Sequence, residues 1–183
     1  MKTFLLVLVS CFLSQGAIAQ SSEMAFTAGV QTTSGDPDVG GVSVDDGTGF
    51  FVGILGFMEL GSGSYLRSGA ILNQRKWDVQ QAGVTVEAET LNIDVPVTYL
   101  FKFNDNVGAF GGLRLGVNVS DDCSGANDCD ADPESIYYGA EVGGHFHFAP
   151  DFGVEVAYNV GLSELAEQLD WDNSLSIGAF LIF

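Results

Sequence analysis

The feature that most constrains this chain is a two-residue alternation that recurs in segment after segment. In LNIDVPVTYLFKF, residues 91–103, one set of alternate positions is Leu91, Ile93, Val95, Val97, Tyr99, Phe101 and Phe103; the other is Asn92, Asp94, Pro96, Thr98, Leu100 and Lys102. A strand points successive side chains to opposite faces, so the first set forms one wholly apolar face. The same split recurs at 107–120, 135–148 and 152–162. There Leu113, Leu115, Val142, Val156 and Tyr158 stand against Gly112, Arg114, Glu141, His145, Glu155 and Asn159. A soluble ligand-binding barrel hides apolar residues inside and shows polar ones to water. Here the mixed face is too polar and glycine-rich for such a core, and the other is too uniformly apolar for water. That apolar face should meet lipid, and the small polar face should fill a narrow lumen.

Turn signals divide the chain into eight strand segments, at 23–32, 48–60, 65–77, 86–103, 107–120, 135–148, 152–162 and 174–183. GSGS, NDN and APD make three tight connections, and four longer polar connections alternate with them. Backbone groups at an open sheet edge would be unpaired in hydrocarbon, so the sheet must close. The expected fold is all-β, a closed eight-stranded antiparallel up-and-down transmembrane β-barrel, with residues 174–183 pairing onto 23–32. Tyr99, Phe101, Phe103, Phe148 and Phe152 lie near the short turns, where an interfacial aromatic girdle belongs.

Residues 1–19 read as a signal peptide: Lys2, an apolar run from Phe4 to Leu13, and a small-residue A-x-A site before Gln20. Leu8-Val9-Ser10-Cys11 resembles a lipobox, but apolar residues continue past Cys11, so cleavage after Ala19 is expected, leaving 20–183 as the barrel domain. Once Lys2 is removed, five basic residues face 24 acidic ones. That imbalance argues against nucleic acid, which is bound through Lys and Arg.

The terminal SLSIGAFLIF, with Phe183, Leu181 and Ala179 on one face, together with the PVTYLFKF strand and its tight turn, resembles the small outer-membrane barrels of the OmpA and OmpX type over essentially the whole mature chain. The resemblance implies an outer-membrane location in a Gram-negative bacterium and a monomer among outer-membrane lipids. It also implies that Phe183, Leu181 and Ala179 act as the recognition signal for the barrel-assembly machinery. Unlike OmpA itself, no peptidoglycan-binding domain is expected after the barrel, and the charge is unusually acidic.

Phase is hardest to read at 48–60, where Phe50, Val52, Ile54 and Met58 alternate with Phe51, Leu55 and Phe57, apolar on both faces. Simple pairing about GSGS puts Met58 across from Arg67 and Phe50 across from Arg75. Arginine at mid-bilayer costs about 2–4 kcal/mol, so both arginines should point inward. That leaves Phe51, Leu55, Phe57, Leu66, Ala70 and Leu72 facing lipid.

Counting from the turns places Arg114 at the height of Glu141 and near Asp94, and an ion cluster of these three is expected, structural rather than a gate. Side chains fill an eight-stranded barrel, so general porin activity is not expected. Cys123 and Cys129 should close a loop disulfide in an oxidising compartment. That loop also holds Asp121, Asp122, Asp128, Asp130, Asp132 and Glu134. It lacks the glycine and twelfth-position Glu of an EF-hand, so it reads as a solvated acidic loop rather than a calcium site. The outer face is therefore negative, and its expected partners are divalent cations bridging lipid phosphates or a basic surface partner. His145 and His147 share a face with Glu141, which raises a barrel-embedded lipid-modifying enzyme. No nucleophile stands at matching spacing, so they read as satisfied lumen histidines, with no cofactor and no catalytic residue. The expected role is structural or surface-interactive; a soluble ligand-binding β-barrel is the other alternative.

Overall fold

The computed structural model describes residues 22–37, 42–81, 84–124, 136–166 and 169–183. The strands are β1 (Ser22–Pro37), β2 (Val42–Gly61), β3 (Ser64–Gln81), β4 (Val84–Lys102), β5 (Val107–Ser124), β6 (Ile136–Ala149), β7 (Phe152–Gly161), β8 (Glu164–Ala166) and β9 (Leu169–Ile182). Neighbours pair antiparallel in the order β1 to β7 and then β9, and β9 returns to β1, which closes an eight-stranded barrel. The short β8 pairs antiparallel with the start of β9, Glu164 opposite Asp170, within the same sheet. Closure reaches the last residue: Ala25 pairs with Ile182, and the Phe183 N–H donates to the Met24 carbonyl at 2.9 Å.

The outer face is the apolar one. Val30, Ile54, Val97, Leu115, Val142, Tyr158 and Ile177 are all exposed, as are Tyr99, Phe101, Phe103, Phe148 and Phe152 near the short turns. Phe101 and Phe103 pack edge to face with centroids 5.4 Å apart. On β3 this apolar row ends at Leu72 and gives way to Gln74 and Lys76; on β4 it ends at Leu91 and gives way to Glu89. Lys76 Nζ lies 2.9 Å from Glu89 Oε2, and the Gln74 amide donates to the same carboxylate. Gln74 first and Lys76 second hold Glu89 below the usual carboxylate range. From Leu91 to Phe103 a strand tilted by about 40° rises about 30 Å, which matches an apolar band of about 25 Å plus its aromatic girdle.

Two expectations are corrected here. Several strands are longer than the turn signals implied: β1 has 16 residues, β2 20, β3 18 and β5 18, well beyond the 9–11 or so that cross hydrocarbon. Much of what read as loop at 33–37, 42–47, 78–81, 84–85 and 121–124 is hairpin extension, because the antiparallel ladder continues through it. The second correction is the phase of β2. Leu55 and Phe57 are buried in the lumen, and Phe51 packs against them, while Phe50 and Ile54 face outward. The register shifts between Glu59 and Gly61, so Leu60 is an extra residue in the ladder and Phe57, not Met58, pairs with Arg67. A one-residue slip turns every side chain of a strand over. The β3 phase is as expected, with Arg67 and Arg75 inside and Leu72 outside.

Inside, glycines open space for rings from adjacent strands. A Cβ at Gly116 would lie 1.9 Å from the Tyr137 ring, one at Gly143 2.3 Å from Phe110, and one at Gly153 2.3 Å from Phe180. The lumen face is glycine-rich because these aromatics lie across it. The turn at GSGS needs glycine for a different reason: Gly63 has φ +74°, a left-handed conformation that L side chains disfavour. The NDN turn is closed by Asn104, whose Oδ1 accepts from the backbone N–H groups of Asn106 and Val107, each at 2.9 Å.

Candidate functional site in the lumen

The lumen holds an apolar cluster and an ionic one, side by side: Phe57 pairs with Arg67 and Ile71 with Asp94. Leu55, Phe57, Ile71, Leu100, Phe110 and Phe180 form the first. The second includes Arg67, Arg75 and Arg114, which are all the arginines of the chain, and the carboxylates Asp94, Glu141 and Glu155, every one of them buried. Three cations and three anions balance, which is the condition for keeping charge in a place with little water.

Connectivity makes these groups one ladder of alternating sign. Arg75 Nη2 donates to Asp94 Oδ2 at 3.1 Å, and Arg114 Nη1 reaches the same oxygen at 3.3 Å. Arg114 also grips Glu141, through Nε at 2.6 Å and through Nη2. Across the lumen from β3, Arg67 donates to Glu141 Oε1 at 2.8 Å and closes a two-pronged pair on Glu155, at 3.2 Å from Nε and 2.8 Å from Nη2. Glu155 Oε1 also lies 3.1 Å from His145 Nδ1, and His145 Nε2 meets His147 Nε2 at 2.6 Å. Two rings lie against the guanidiniums: Phe110 is 4.4 Å from Arg67 Cζ, and Tyr137 is 4.5 Å from Arg75 Cζ. The Tyr137 hydroxyl donates to Asp94, as does Asn73 Nδ2 at 2.8 Å. Guanidiniums suit this task because they fork to two carboxylates at once and stack on aromatic faces.

Arg114, Glu141 and Asp94 are thus brought together on the adjacent strands β5, β6 and β4, although Arg114 pairs with Gly139 and Glu141 with Gly112, two residues from the level that counting gave. That counting missed Arg67, Arg75, Glu155 and Tyr137. Arg67 and Glu155 sit on strands that do not touch, and their contact depends on the stagger of the barrel. One signal was available: every arginine lies on a lumen-phase position.

The remaining expected sites fall elsewhere. Cys123 belongs to β5, where its backbone pairs with Ala88, and Cys129 lies outside the described residues, as does the disulfide between them. Asp121 and Asp122 continue β5 opposite Thr90 and Glu89, while Asp128, Asp130, Asp132 and Glu134 lie outside the described residues. Among the described residues no group of three or more His, Cys, Asp and Glu could hold a metal ion. Neither His145 nor His147 hydrogen-bonds a hydroxyl or thiol there; their partners are Glu155, the Ala149 backbone and each other.

Known proteins give the same architecture. Neisserial surface protein A superposes with a TM-score of 0.58 at 15% identity, covering 90% of this chain and all of that one. Ail, the attachment invasion locus protein of Yersinia pestis, in complex with the heparin analogue sucrose octasulfate, gives 0.56 at 14% identity over 90% of this chain and all of Ail. The outer membrane protein OprG from Pseudomonas aeruginosa gives 0.53 at 12% identity over 90% of this chain and 97% of that one. No curated protein matches in sequence. At these identities the likeness shows the fold. The family model for the outer membrane protein beta-barrel domain matches residues 4–183, and the chain belongs to that family.

Proposed function

We propose that this barrel is a closed wall element whose function lies on its extracellular face: an acidic surface offered to a basic partner, or to lipid phosphates through bridging divalent cations. The observation that carries this reading is the ladder from Arg75 to Glu155, which fills the lumen with paired charge. Opening a path would part buried ion pairs, each costing about 3–5 kcal/mol to break, so the barrel is no general pore. An enzyme is disfavoured on the same reading, because among the described residues neither lumen histidine hydrogen-bonds a hydroxyl or thiol.

The outward role rests on charge. With residues 1–19 removed as a signal peptide, the mature chain keeps 24 acidic residues against five basic ones, and Asp36, Asp38, Asp45, Asp46, Asp78, Glu164, Glu167, Asp170 and Asp172 fall in or next to the long connections. The Ail structure contains a sulfated sugar. A polyanion of that kind would be repelled here, so the partner has the opposite charge. Phe183, Leu181 and Ala179 would present the chain to the barrel-assembly machinery, and the folded product would be a monomer in outer-membrane lipid.

Two assays test this together. In planar bilayers the purified barrel should give no porin-sized conductance steps. Vesicles carrying it should bind a basic peptide in a salt-sensitive way and leave heparin in solution. Large steps would refute the closed lumen, and equal binding of both polyions would refute the charge argument.

A further inference from the structure

His145 and His147 stand two residues apart on β6, on the lumen side near the short-turn rim, with ring centroids 4.4 Å apart. Their Nε2 atoms face each other at 2.6 Å. The other nitrogen of His145, Nδ1, lies 3.1 Å from Glu155 Oε1, and Arg67 donates to both oxygens of that carboxylate. A carboxylate can only accept, so Nδ1 carries the proton in this contact, and the Nε2 lone pair of a neutral His145 points at His147. Phe180 stacks on His145 with centroids 4.3 Å apart, and Phe57 meets it edge-on at 5.8 Å, so the ring is held in place. A carboxylate that fixes the tautomer of an imidazole whose free nitrogen faces a second imidazole is the arrangement found behind metal-binding histidines.

We propose that His145 and His147 chelate one late first-row transition-metal dication, of the Zn²⁺ or Cu²⁺ class, through their facing Nε2 atoms. Metal–nitrogen bonds of about 2.0–2.1 Å set two tetrahedral ligands about 3.3 Å apart, so the observed 2.6 Å must open by about 0.7 Å. His147 can supply that movement: it stands nearer the rim, 8% exposed, and meets Phe180 edge-on at 5.0 Å with a hydrogen bond at the Ala149 backbone, whereas His145 is stacked on Phe180 and flanked by Phe57. With no group of three potential ligands among the described residues, water completes the coordination and the ion is exchangeable. Imidazole selects Zn²⁺, Cu²⁺ and Ni²⁺ over Mg²⁺ and Ca²⁺, which separates this site from the carboxylates of the acidic loops.

The test uses the full untagged barrel in detergent, with excess Mg²⁺ to occupy the acidic loops, titrated with Cu²⁺ and followed by calorimetry and electron paramagnetic resonance. One ion per barrel is expected, with hyperfine splitting from two imidazole nitrogens. His147→Gln should weaken binding by about tenfold or more while keeping the folded gel mobility. His145→Gln should do the same if it folds; if it does not, His147→Gln decides. Absence of saturable binding, an oxygen-only spectrum, or unchanged affinity in His147→Gln would each overturn the proposal. A pair that merely shares a proton gives the first of these results.

Discussion

Replacing Arg67 with Met tests the lumen ladder at its most connected point. The substitution keeps most of the side-chain volume and removes four hydrogen bonds, one to Glu141, two to Glu155 and one to the Thr98 hydroxyl. The two carboxylates do not suffer equally. Glu141 keeps Arg114, bound through Nε at 2.6 Å, whereas Glu155 is left with His145 at 3.1 Å. Removing one partner of a buried pair costs about 3–5 kcal/mol, mostly because the other charge is stranded, so the loss should fall in that range and come chiefly from Glu155. Double variants separate this from a packing defect. Arg67→Met with Glu155→Gln removes the stranded charge and should recover at least half of the loss. Arg67→Met with Glu141→Gln should recover much less, because it deprives Arg114 of its main partner. Urea unfolding in detergent micelles, followed by heat-modifiable gel mobility, gives these free energies. A cost below about 1 kcal/mol for Arg67→Met, or equal recovery by the two doubles, would refute the ladder as a unit.

Other outcomes follow from the same structure. Gly116→Val puts a Cβ where the Tyr137 ring lies, so it should displace that ring and its bond to Asp94, destabilising the barrel by about 1–3 kcal/mol in the same urea assay. Ile54→Arg should cost about 2–4 kcal/mol relative to Ile54→Ala in lipid vesicles, because Ile54 faces outward; no difference between the two would return β2 to the opposite phase. Phe183→Ser should lower the amount of folded barrel assembled in cells while leaving refolding in detergent nearly unchanged. Equal assembly in cells would remove the proposed signal role of the terminal residue.

The wall was legible where its two faces differ in chemistry. On β4 to β7 and β9 one face meets lipid and the other holds glycine, hydroxyls and charge, so alternation alone fixed the phase. It failed on β2 because Leu55 and Phe57 fill the lumen while Phe50 and Ile54 face lipid, both apolar surroundings. Phase there depended on register, and register depended on Leu60, whose extra place in the ladder no composition reveals. Strand length was underread for a related reason: polar residues at 33–37 and 78–81 look like loop, yet antiparallel pairing continues through them above the apolar band. In the site, neighbours on adjacent strands could be found, to within two residues, by counting from turns. Arg67 and Glu155 meet across the lumen, at a distance set by barrel stagger rather than by any spacing along the chain.

The account rests on the inversion of the wall, apolar outward and polar inward. Its most direct test is a spin-label scan through residues 95–103 in lipid vesicles, comparing collisions with oxygen, which concentrates in lipid, and with a water-soluble nickel chelate. Labels at Val97, Tyr99 and Phe101 should collide with oxygen, and those at Pro96, Thr98 and Leu100 should not, giving a period of two along the strand. A reversed phase, or nickel collisions along the whole outer row, would contradict it.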